Sequence, residues 1–453
     1  LVERNRVYAN ANLGIRATQS DLIGNVVYSN PTGIRVSGDG RVVRNNLIYA
    51  SGTTGLFVTD ASDLEIVNNT LFEVAGDTLR IEGASTGMQL RNNILWAENG
   101  FTVSIAPDSQ TGFASDNNLF FRSFIGSGRL GVWNGVARAT FADWRAATGT
   151  DTDSLFTNPL FVDANGADNV LGFDPTGGDG RDDDFHERSL NGSFHGGSLA
   201  PAEGPSFFGI PGRPIALTAV LTADAQQSPA IDRGDGGDPF ADEPAPNGGY
   251  INVGAFGNTA QASLSPAQYV LVIAPNGGES IHQRSTFEIR WRHDGFAGPV
   301  DIQVSSTGIV GPFQTIATNE ANDDLYEWTV DETLFAAGTD YIIRVQESAA
   351  PAIGDRSDFA FSVINDPPVV GNVANVTLDE GAAFSTTISA VDPEGGTLTA
   401  VVAGIPGATA VRDGDSFVIS WTATPDGPDT LPVTVTVTDS GTPARSVVRG
   451  FTV

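Results

Sequence analysis

A motif of asparagine, a variable residue, an apolar residue and an aromatic residue recurs six times within the first 121 residues. Successive aromatic residues are 20 to 25 positions apart, which is the length of one coil of a β-solenoid. The aromatic positions are Tyr8, Tyr28, Tyr49, Phe72, Trp96 and Phe121. The pattern therefore predicts a stack of coils, each of which contributes a short strand at the same height.

A second pattern runs in phase with the first: a small residue followed by apolar, variable and apolar residues. Its copies begin at Gly14, Gly33, Gly55, Thr78 and Gly100. Equivalent positions of stacked coils lie about 4.8 Å apart, so their apolar side chains form ladders that point inward. We expect Ile15, Ile34, Leu56, Leu79 and Phe101 to form one such ladder.

The repeated asparagines suit the corners of the coils. Asparagine tolerates the left-handed backbone region, and its amide can hydrogen bond to the equivalent amides above and below. We therefore assign them a structural role rather than a catalytic one.

The pattern changes from Tyr269 onward to alternating strands at the spacing of β-sandwiches, including Phe287–Trp291 and Tyr326–Val330. In this segment we expect Trp291 and Trp328 to be core residues rather than a sugar-stacking platform. The run Asn365-Asp366-Pro367-Pro368 separates two such modules. The predicted fold is all-β: a right-handed parallel β-helix over residues 1–262, then two β-sandwich (immunoglobulin-like and cadherin-like) domains over 263–366 and 367–453.

Composition narrows the possible chemistry. The chain has no cysteine, and its 24 basic residues are all arginine, so disulfides, thiolate metal sites and a lysine base are excluded. The net charge is −30, with residues 1–150 nearly neutral and the rest acidic. Such a surface repels nucleic acid and anionic membranes and favours divalent cations.

No apolar run is long enough to span a membrane. Because Leu1 lies in mid-coil, we expect a fragment that lacks upstream coils.

Several motifs in the first 262 residues resemble the C-terminal part of bacterial right-handed β-helix proteins of the pectate-lyase-like superfamily. They are the asparagine coils, Asn158–Asp163, Ser228–Asp232 and Val253–Thr259. The following segments resemble a small secreted immunoglobulin-like module and a cadherin-like or putative-immunoglobulin repeat. This resemblance implies a secreted or cell-surface protein.

The cadherin-like resemblance implies calcium as a candidate cofactor at the junction of the last two modules. The matching acidic positions are Asp366, Glu380, Asp392, Glu394 and Asp439. Solvated surface acids without a metal are the alternative.

An insertion rich in glycine and aspartate spans about residues 174–220. Its run Asp182, Asp183 and Asp184 could coordinate calcium, since calcium takes six to eight oxygen ligands. The alternative is a disordered or solvated loop.

The resemblance also implies how a lyase of this superfamily would work: a lysine or arginine base removes a proton beside a uronate carboxylate, helped by a cation. Lysine is absent, which leaves arginine. Arg16, Arg35 and Arg80 occupy equivalent outward positions and could bind an acidic glycan, whereas a plain solvated face is the alternative. His186 and His195, with Glu187 and Arg188, are candidates for a further site on the insertion. The catalytic residues remain unassigned, since no pair of converging carboxylates stands out.

The preferred hypothesis is an extracellular carbohydrate-binding or adhesion protein, not an enzyme in this fragment, with the sandwich modules as spacer or anchor. One alternative is a polysaccharide lyase or glycoside hydrolase whose catalytic coils lie partly upstream of residue 1. Another is a self-associating subunit of an extracellular filament or surface layer.

Overall fold

The computed structural model describes residues 1–123, 128–195, 202–203, 214–215, 220–424 and 430–453. The chain divides into two compact units, Leu1–Ala267 and Gln268–Val453. The first is a stack of β-coils with a segment folded over it, and the second consists of two β-sandwich modules. The described residues include no helix long and apolar enough to cross a membrane.

Three sheets of parallel strands form the coil stack. Sheet A contains Val2–Glu3, Leu22–Ile23, Val42–Arg44, Glu65–Val67, Gln89–Arg91 and Ala114–Asp116. Sheet B contains Arg6–Tyr8, Val26–Tyr28, Leu47–Tyr49, Thr70–Glu73, Ile94–Ala97, Leu119–Phe121 and Leu155–Phe156. Sheet C contains Leu13–Thr18, Thr32–Asp39, Thr54–Ser62, Asp77–Glu82, Phe101–Ile105 and Arg129–Trp133, with Val136–Arg138 added antiparallel. In each sheet, the side chains on one face point inward, and together they form a continuous apolar core.

The inward ladder of sheet C differs from the expectation at its fifth position. Leu79 pairs with Val103, whereas Phe101 pairs with Arg129 and is only half-buried. The ladder is therefore Ile15, Ile34, Leu56, Leu79 and Val103. The prediction of Phe101 was wrong because the fifth small residue is Thr102, which corresponds to Thr78, and not Gly100.

The repeated asparagines form the predicted hydrogen-bonded ladder. Asn46 donates from its backbone N and its Nδ2 to the Oδ1 of Asn69, at 3.0 and 2.9 Å. The same pair of bonds joins every neighbouring couple from Asn5 to Asn118. The left-handed conformation, however, belongs to the preceding residue in each coil. These residues are Arg4, Gly24, Asn45, Asn68, Asn92 and Asn117.

A short helix closes the apolar interior after the last coils. It spans Phe141–Thr148 and begins with a capping box, in which Thr140 and Asp143 satisfy each other's backbone amides. Trp144 is completely buried in the stack core, and its indole nitrogen donates to Asp151 at 2.7 Å. A single 3₁₀ turn, Pro107–Ser109, lies at a corner of the coil before it.

The segment after residue 155 covers the outer face of sheet B. The aromatic residues of the repeat point outward there, with Tyr28 and Tyr49 stacked at 5.0 Å between ring centroids. Phe185 packs on Tyr49 and Phe161 and is completely buried. A second apolar core therefore lies outside the coils, against strands Phe161–Asp163 and Asp184–Glu187.

Part of the glycine- and aspartate-rich insertion is consequently an ordered element. The expectation of a disordered or solvated loop is wrong for Asp184–Glu187, since every residue of this strand is buried. The remaining strands of the segment pair antiparallel as Phe173–Asp174 with Gly178–Asp179, Ser193–Phe194 with Leu221–Thr222, and Ala202–Glu203 with Pro214–Ile215. Positions 196–201, 204–213 and 216–219 of the predicted insertion lie outside the described residues.

Each module of the second unit is a pair of sheets around its own core. In the first module, one sheet contains Tyr269–Ala274, Thr286–Asp294 and Leu325–Thr329. Its partner contains Ser280–His282, Phe361–Ile364, Gly338–Glu347, Val300–Ser305, Gln314–Glu320 and Gly354–Arg356. In the second module, Val369–Val370, Ala383–Val391, Ser416–Thr422 and Thr409–Asp413 face Thr399–Ala403, Pro432–Thr438 and Ser446–Thr452. Trp291 and Trp328 are core residues, as expected.

Candidate functional site

The outer face of sheet C carries the predicted arginine column. Arg16 pairs with Arg35 in the next strand, Arg35 with Phe57, and Phe57 with Arg80. With strands about 4.8 Å apart, the four side chains form a row about 14 Å long. Arg16 and Arg80 are exposed, and Arg35 and Phe57 are half-buried. The structure thus places the three arginines in one column and adds an aromatic ring between them.

The chemistry of this row combines cationic, aromatic and hydroxyl groups. The Arg35 guanidinium carbon lies 5.1 Å from the centroid of the Phe57 ring, in cation–π geometry. The Nε of Arg80 lies 2.5 Å from Glu82 Oε1. Thr18 and Ser37 lie two residues beyond Arg16 and Arg35 on the same two strands. The Ser37 hydroxyl donates to the Thr18 hydroxyl at 3.3 Å. Such a surface offers planar donors for anionic groups and an apolar ring for a sugar face.

The three consecutive aspartates of the insertion have separate partners. Asp182 accepts from the backbone N of Asp168 at 3.0 Å and lines an open cleft of about 630 Å³. Asp183 accepts from Gly172 N at 2.8 Å, and Asp184 accepts from both His186 N and Nδ1. The three carboxylates therefore do not form a group of ligand atoms within 4.8 Å of one another, because each is held by a different part of the segment.

The two histidines of the insertion do not meet either. His186 is completely buried and stacks on Phe256 at 3.6 Å, with its Nδ1 2.8 Å from Asp184 Oδ1. His195 lies against Asp224, with 3.0 Å between Nε2 and Oδ1. Each ring is held by its own carboxylate, so the two do not form a common acid–base pair.

Buried carboxyl groups accumulate between the coil stack and the segment that covers it. Burial raises the pKa of Glu187 to about 8, and the nearby charges of Glu243 and Asp184 add to the increase. Burial likewise raises the pKa of Glu243 to about 7 and that of Asp183 to about 7. Inside the coils, burial also raises the pKa of Glu73. These groups are enclosed, so they bear on stability rather than on substrate chemistry.

The junction of the two sandwich modules brings together four of the five acidic residues implied by the cadherin-like resemblance. Asp366 donates its backbone N to Glu394 Oε1 at 2.8 Å. Asp392 accepts from Glu394 N at 2.9 Å, and Asp439 accepts from Arg445 N at 2.8 Å. The carboxylates of Asp392 and Asp439 are thus already engaged by the backbone.

Glu380 does not belong to this junction. It precedes strand Ala383–Val391, whereas Asp392 follows it, so the strand alone separates them by about 26 Å. Glu380 is exposed and lines a cleft with Trp421 at the other end of its module.

His282 joins Asp366 and Glu394 at the junction. One ligand atom from each residue lies within 4.8 Å of the others, and this is the one such group of three found among the described residues. The side chain of Glu394 is 2% exposed, whereas those of His282 and Asp366 are about half exposed. A polar set of this kind can hold a metal ion at the surface between the modules.

Hydrogen bonds beside this group tie the two modules together. The Nε2 of buried Gln283 donates to Phe335 O in its own module and to Thr442 O in the next, both at 2.8 Å. Thr442 N donates back to Gln283 Oε1 at 3.1 Å. These bonds fix the position of the neighbouring His282 relative to Glu394.

The comparisons with known proteins agree with this architecture. Residues 1–142 match the family described as right-handed beta helix region, and residues 365–449 match the bacterial Ig domain. The chain therefore carries a right-handed β-helix region followed by a bacterial immunoglobulin-like module. Both are typical of extracellular proteins. No curated protein matches the chain at a significant level.

Several solved structures match part of the chain at low sequence identity and low TM-score. Extracellular cadherin domains 1–4 of protocadherin gamma B7 are 13% identical, with 45% of this chain and 55% of that chain covered and a TM-score of 0.19. Fibronectin(III)-like modules of Clostridium thermocellum CbhA are 16% identical, with 40% and 92% covered and a TM-score of 0.17. The endo-fucoidan hydrolase MfFcnA4 is 12% identical, with 42% and 31% covered and a TM-score of 0.21. The chain spans about half the length of the protocadherin fragment.

Two residues that matter at these sites, Phe57 and His282, were not predicted from the sequence. Phe57 could have been found, since it occupies the variable position of the second repeat between Arg35 and Arg80. His282 could not, because its partner Glu394 lies 112 residues away. Glu187 was among the candidates on the insertion, but no sequence pattern indicates that the charge of Glu243 lies near it.

Proposed function

We propose that the coil stack is an extracellular scaffold that binds an acidic polysaccharide through the outer face of sheet C, with the sandwich modules as spacer or anchor. The observation that carries the proposal is the row Arg16, Arg35, Phe57 and Arg80, in register on adjacent parallel strands. Arg16 and Arg35 are one strand apart, and Arg35 and Arg80 are two strands apart. The guanidinium groups can therefore contact separate anionic groups of one extended chain.

The rest of the stack surface supports this choice of face. Sheet B is covered by aromatic packing, and sheet A receives contacts from later residues, such as Arg91 Nε to Asp238 Oδ2 at 2.7 Å. The molecule is strongly acidic overall, with a net charge of −30. A cationic row on such a molecule concentrates attraction for a polyanion in one place.

The proposal is tested by measuring binding to polygalacturonate, to alginate and to a neutral glucan. Affinity electrophoresis and calorimetry give these affinities. The variant Arg16→Gln/Arg35→Gln/Arg80→Gln should weaken binding of the acidic polymers at least 30-fold, since each charge-assisted bond contributes about 1.5–3 kcal/mol. A control variant, Arg356→Gln/Arg412→Gln/Arg449→Gln, makes the same charge change on the sandwich modules and should bind like wild type. Equal losses in both variants would refute a specific face.

The same assays separate binding from cleavage. Incubation of wild-type protein and calcium with the uronate polymers, followed by ultraviolet absorbance, detects unsaturated uronides. Release of such products that is lost in the sheet C variant would instead identify a lyase with an arginine base on this face.

A further inference from the structure

We propose that His282, Asp366 and Glu394 form a binding site for a divalent transition-metal ion of the Zn²⁺ type. The first sandwich module supplies the histidine, the second supplies the glutamate, and the linker between them supplies the aspartate. This site is independent of the glycan-binding face proposed for sheet C.

The spacing of the ligand atoms matches a metal polyhedron. His282 Nδ1 lies 3.0 Å from Glu394 Oε1 and 3.5 Å from Asp366 Oδ2. Ligands at 2.0–2.1 Å from a tetrahedral zinc ion are separated by about 3.3 Å. These two separations bracket this value, and the three ligand atoms all lie within 4.8 Å of one another.

The donor set favours a transition metal over calcium. Calcium takes six to eight ligands and binds through oxygen, whereas imidazole suits zinc and other late first-row ions. Two carboxylates and a neutral imidazole also balance a dication. A metal ion would bind the neutral His282 ring through Nδ1, with the single ring proton on Nε2 and the fourth position open to water.

A second observation points to a missing ligand. The side chain of Glu394 is 2% exposed, and its Oε2 has no hydrogen-bond partner. A buried carboxylate oxygen without a partner is costly. The nearby carboxylates of Asp392 and Asp439 cannot relieve it, because ionised carboxylates accept hydrogen bonds and do not donate them. A cation bound at Glu394 would satisfy the carboxylate and tie the two modules together.

The test uses the full chain after chelation and dialysis, titrated with Zn²⁺ or Ca²⁺ in a calorimeter. Wild type should bind about one Zn²⁺ specifically and melt at a higher temperature when Zn²⁺ is present. His282→Asn should reduce the Zn²⁺ affinity at least tenfold and abolish the shift in melting temperature. Glu394→Gln should do the same, while both variants should melt like wild type in chelator. Co²⁺ should give a visible absorption band in wild type that His282→Asn removes.

His293→Asn is the matched control, because His293 forms a similar pair with Asp324 at 2.7 Å within the first module. This variant should bind Zn²⁺ like wild type. Failure of wild type to bind Zn²⁺, or equal affinities in wild type and His282→Asn, would overturn the assignment. Binding of Ca²⁺ that His282→Asn leaves unchanged, with Zn²⁺ merely competing, would also overturn it and would identify an all-oxygen calcium site.

Discussion

At the scale of single residues, the asparagine ladder shows how one side chain can serve several coils. Asn69 accepts from both Asn46 nitrogens and donates to Asn93 Oδ1, Val43 O and Val67 O. It is completely buried, so each of these polar groups depends on the amide for its partner. Serine or aspartate has too few donors to replace it in such a ladder.

Replacement of Asn69 by alanine should therefore lower the free energy of unfolding by about 3 kcal/mol, because several buried groups lose their partner. Urea denaturation followed by circular dichroism measures this loss. Asn5→Ala is the control, since Asn5 is the first copy of the motif and is only half-buried. A similar loss in both variants would show that the size of the loss does not depend on burial of the ladder amide.

The close approach of the covering segment to sheet B requires glycine at one position. Gly254 has a φ of +107°, and a Cβ there would lie 2.7 Å from Ile94 Cδ1 and 2.8 Å from Glu187 Oε1. Only glycine allows the covering segment to come this close to sheet B.

At the scale of elements, the strand Asp184–Glu187 decides how the covering segment attaches to the coils. Its Phe185 ring centroid lies 4.7 Å from that of Tyr49 and 5.1 Å from that of Phe161. The contact joins the outward aromatic column to residues more than 100 positions later. Burial of this aromatic ring therefore contributes to holding the segment on the coils.

Phe185→Ala should accordingly lower the free energy of unfolding by about 3–5 kcal/mol, since a large ring is removed from a closed core. It should also expose the segment after residue 160 to limited proteolysis. Leu190→Ala is the control in the same segment, because Leu190 is 51% exposed. Resistance of the Phe185 variant to both denaturant and protease would contradict the role given to this strand.

At the scale of the whole molecule, the two units should respond differently to pH. Glu187, Glu243 and Asp183 in the first unit have pKa values raised to about 8, 7 and 7 by burial. A raised carboxyl pKa means that the folded state holds its proton more tightly than the unfolded state. The resulting stability is complete below the unfolded pKa of about 4 and is lost as the pH rises through the folded pKa.

The first unit should thus become less stable as the pH rises from about 5 to about 8. In the second unit, burial raises the pKa of Tyr341 to about 12, which lies above this pH range. Calorimetric melts of the full chain at pH 5, 6.5 and 8 measure the effect. Glu187→Gln should flatten this pH dependence by removing the group with the highest of these pKa values. Glu3→Gln, at an exposed position, should leave it unchanged. A stability that rises with pH would contradict the burial of these groups in protonated form.

Local patterns were sufficient to predict a large part of the molecule. The coil spacing, the asparagine ladder and the arginine column repeat at intervals that neighbouring coils must share, so the sequence itself records which residues stack. The error at Phe101 arose because Gly100, two residues before Thr102, mimicked the small residue that opens the repeat. The junction residues Asp366, Asp392, Glu394 and Asp439 were found through motif positions, whereas Glu380 matched a motif but lies at the opposite end of the strand.

By itself, the sequence determined the all-β class, the coil stack, the two sandwich modules and the row of arginines on one face, because periodic side chains on stacked strands must fall into columns. Only the tertiary structure decided that the outward aromatics bury Phe185, that the three insertion aspartates point to different partners, and that His282 meets Glu394. Such contacts join residues that are far apart in the chain and follow no period, so packing alone brings them together.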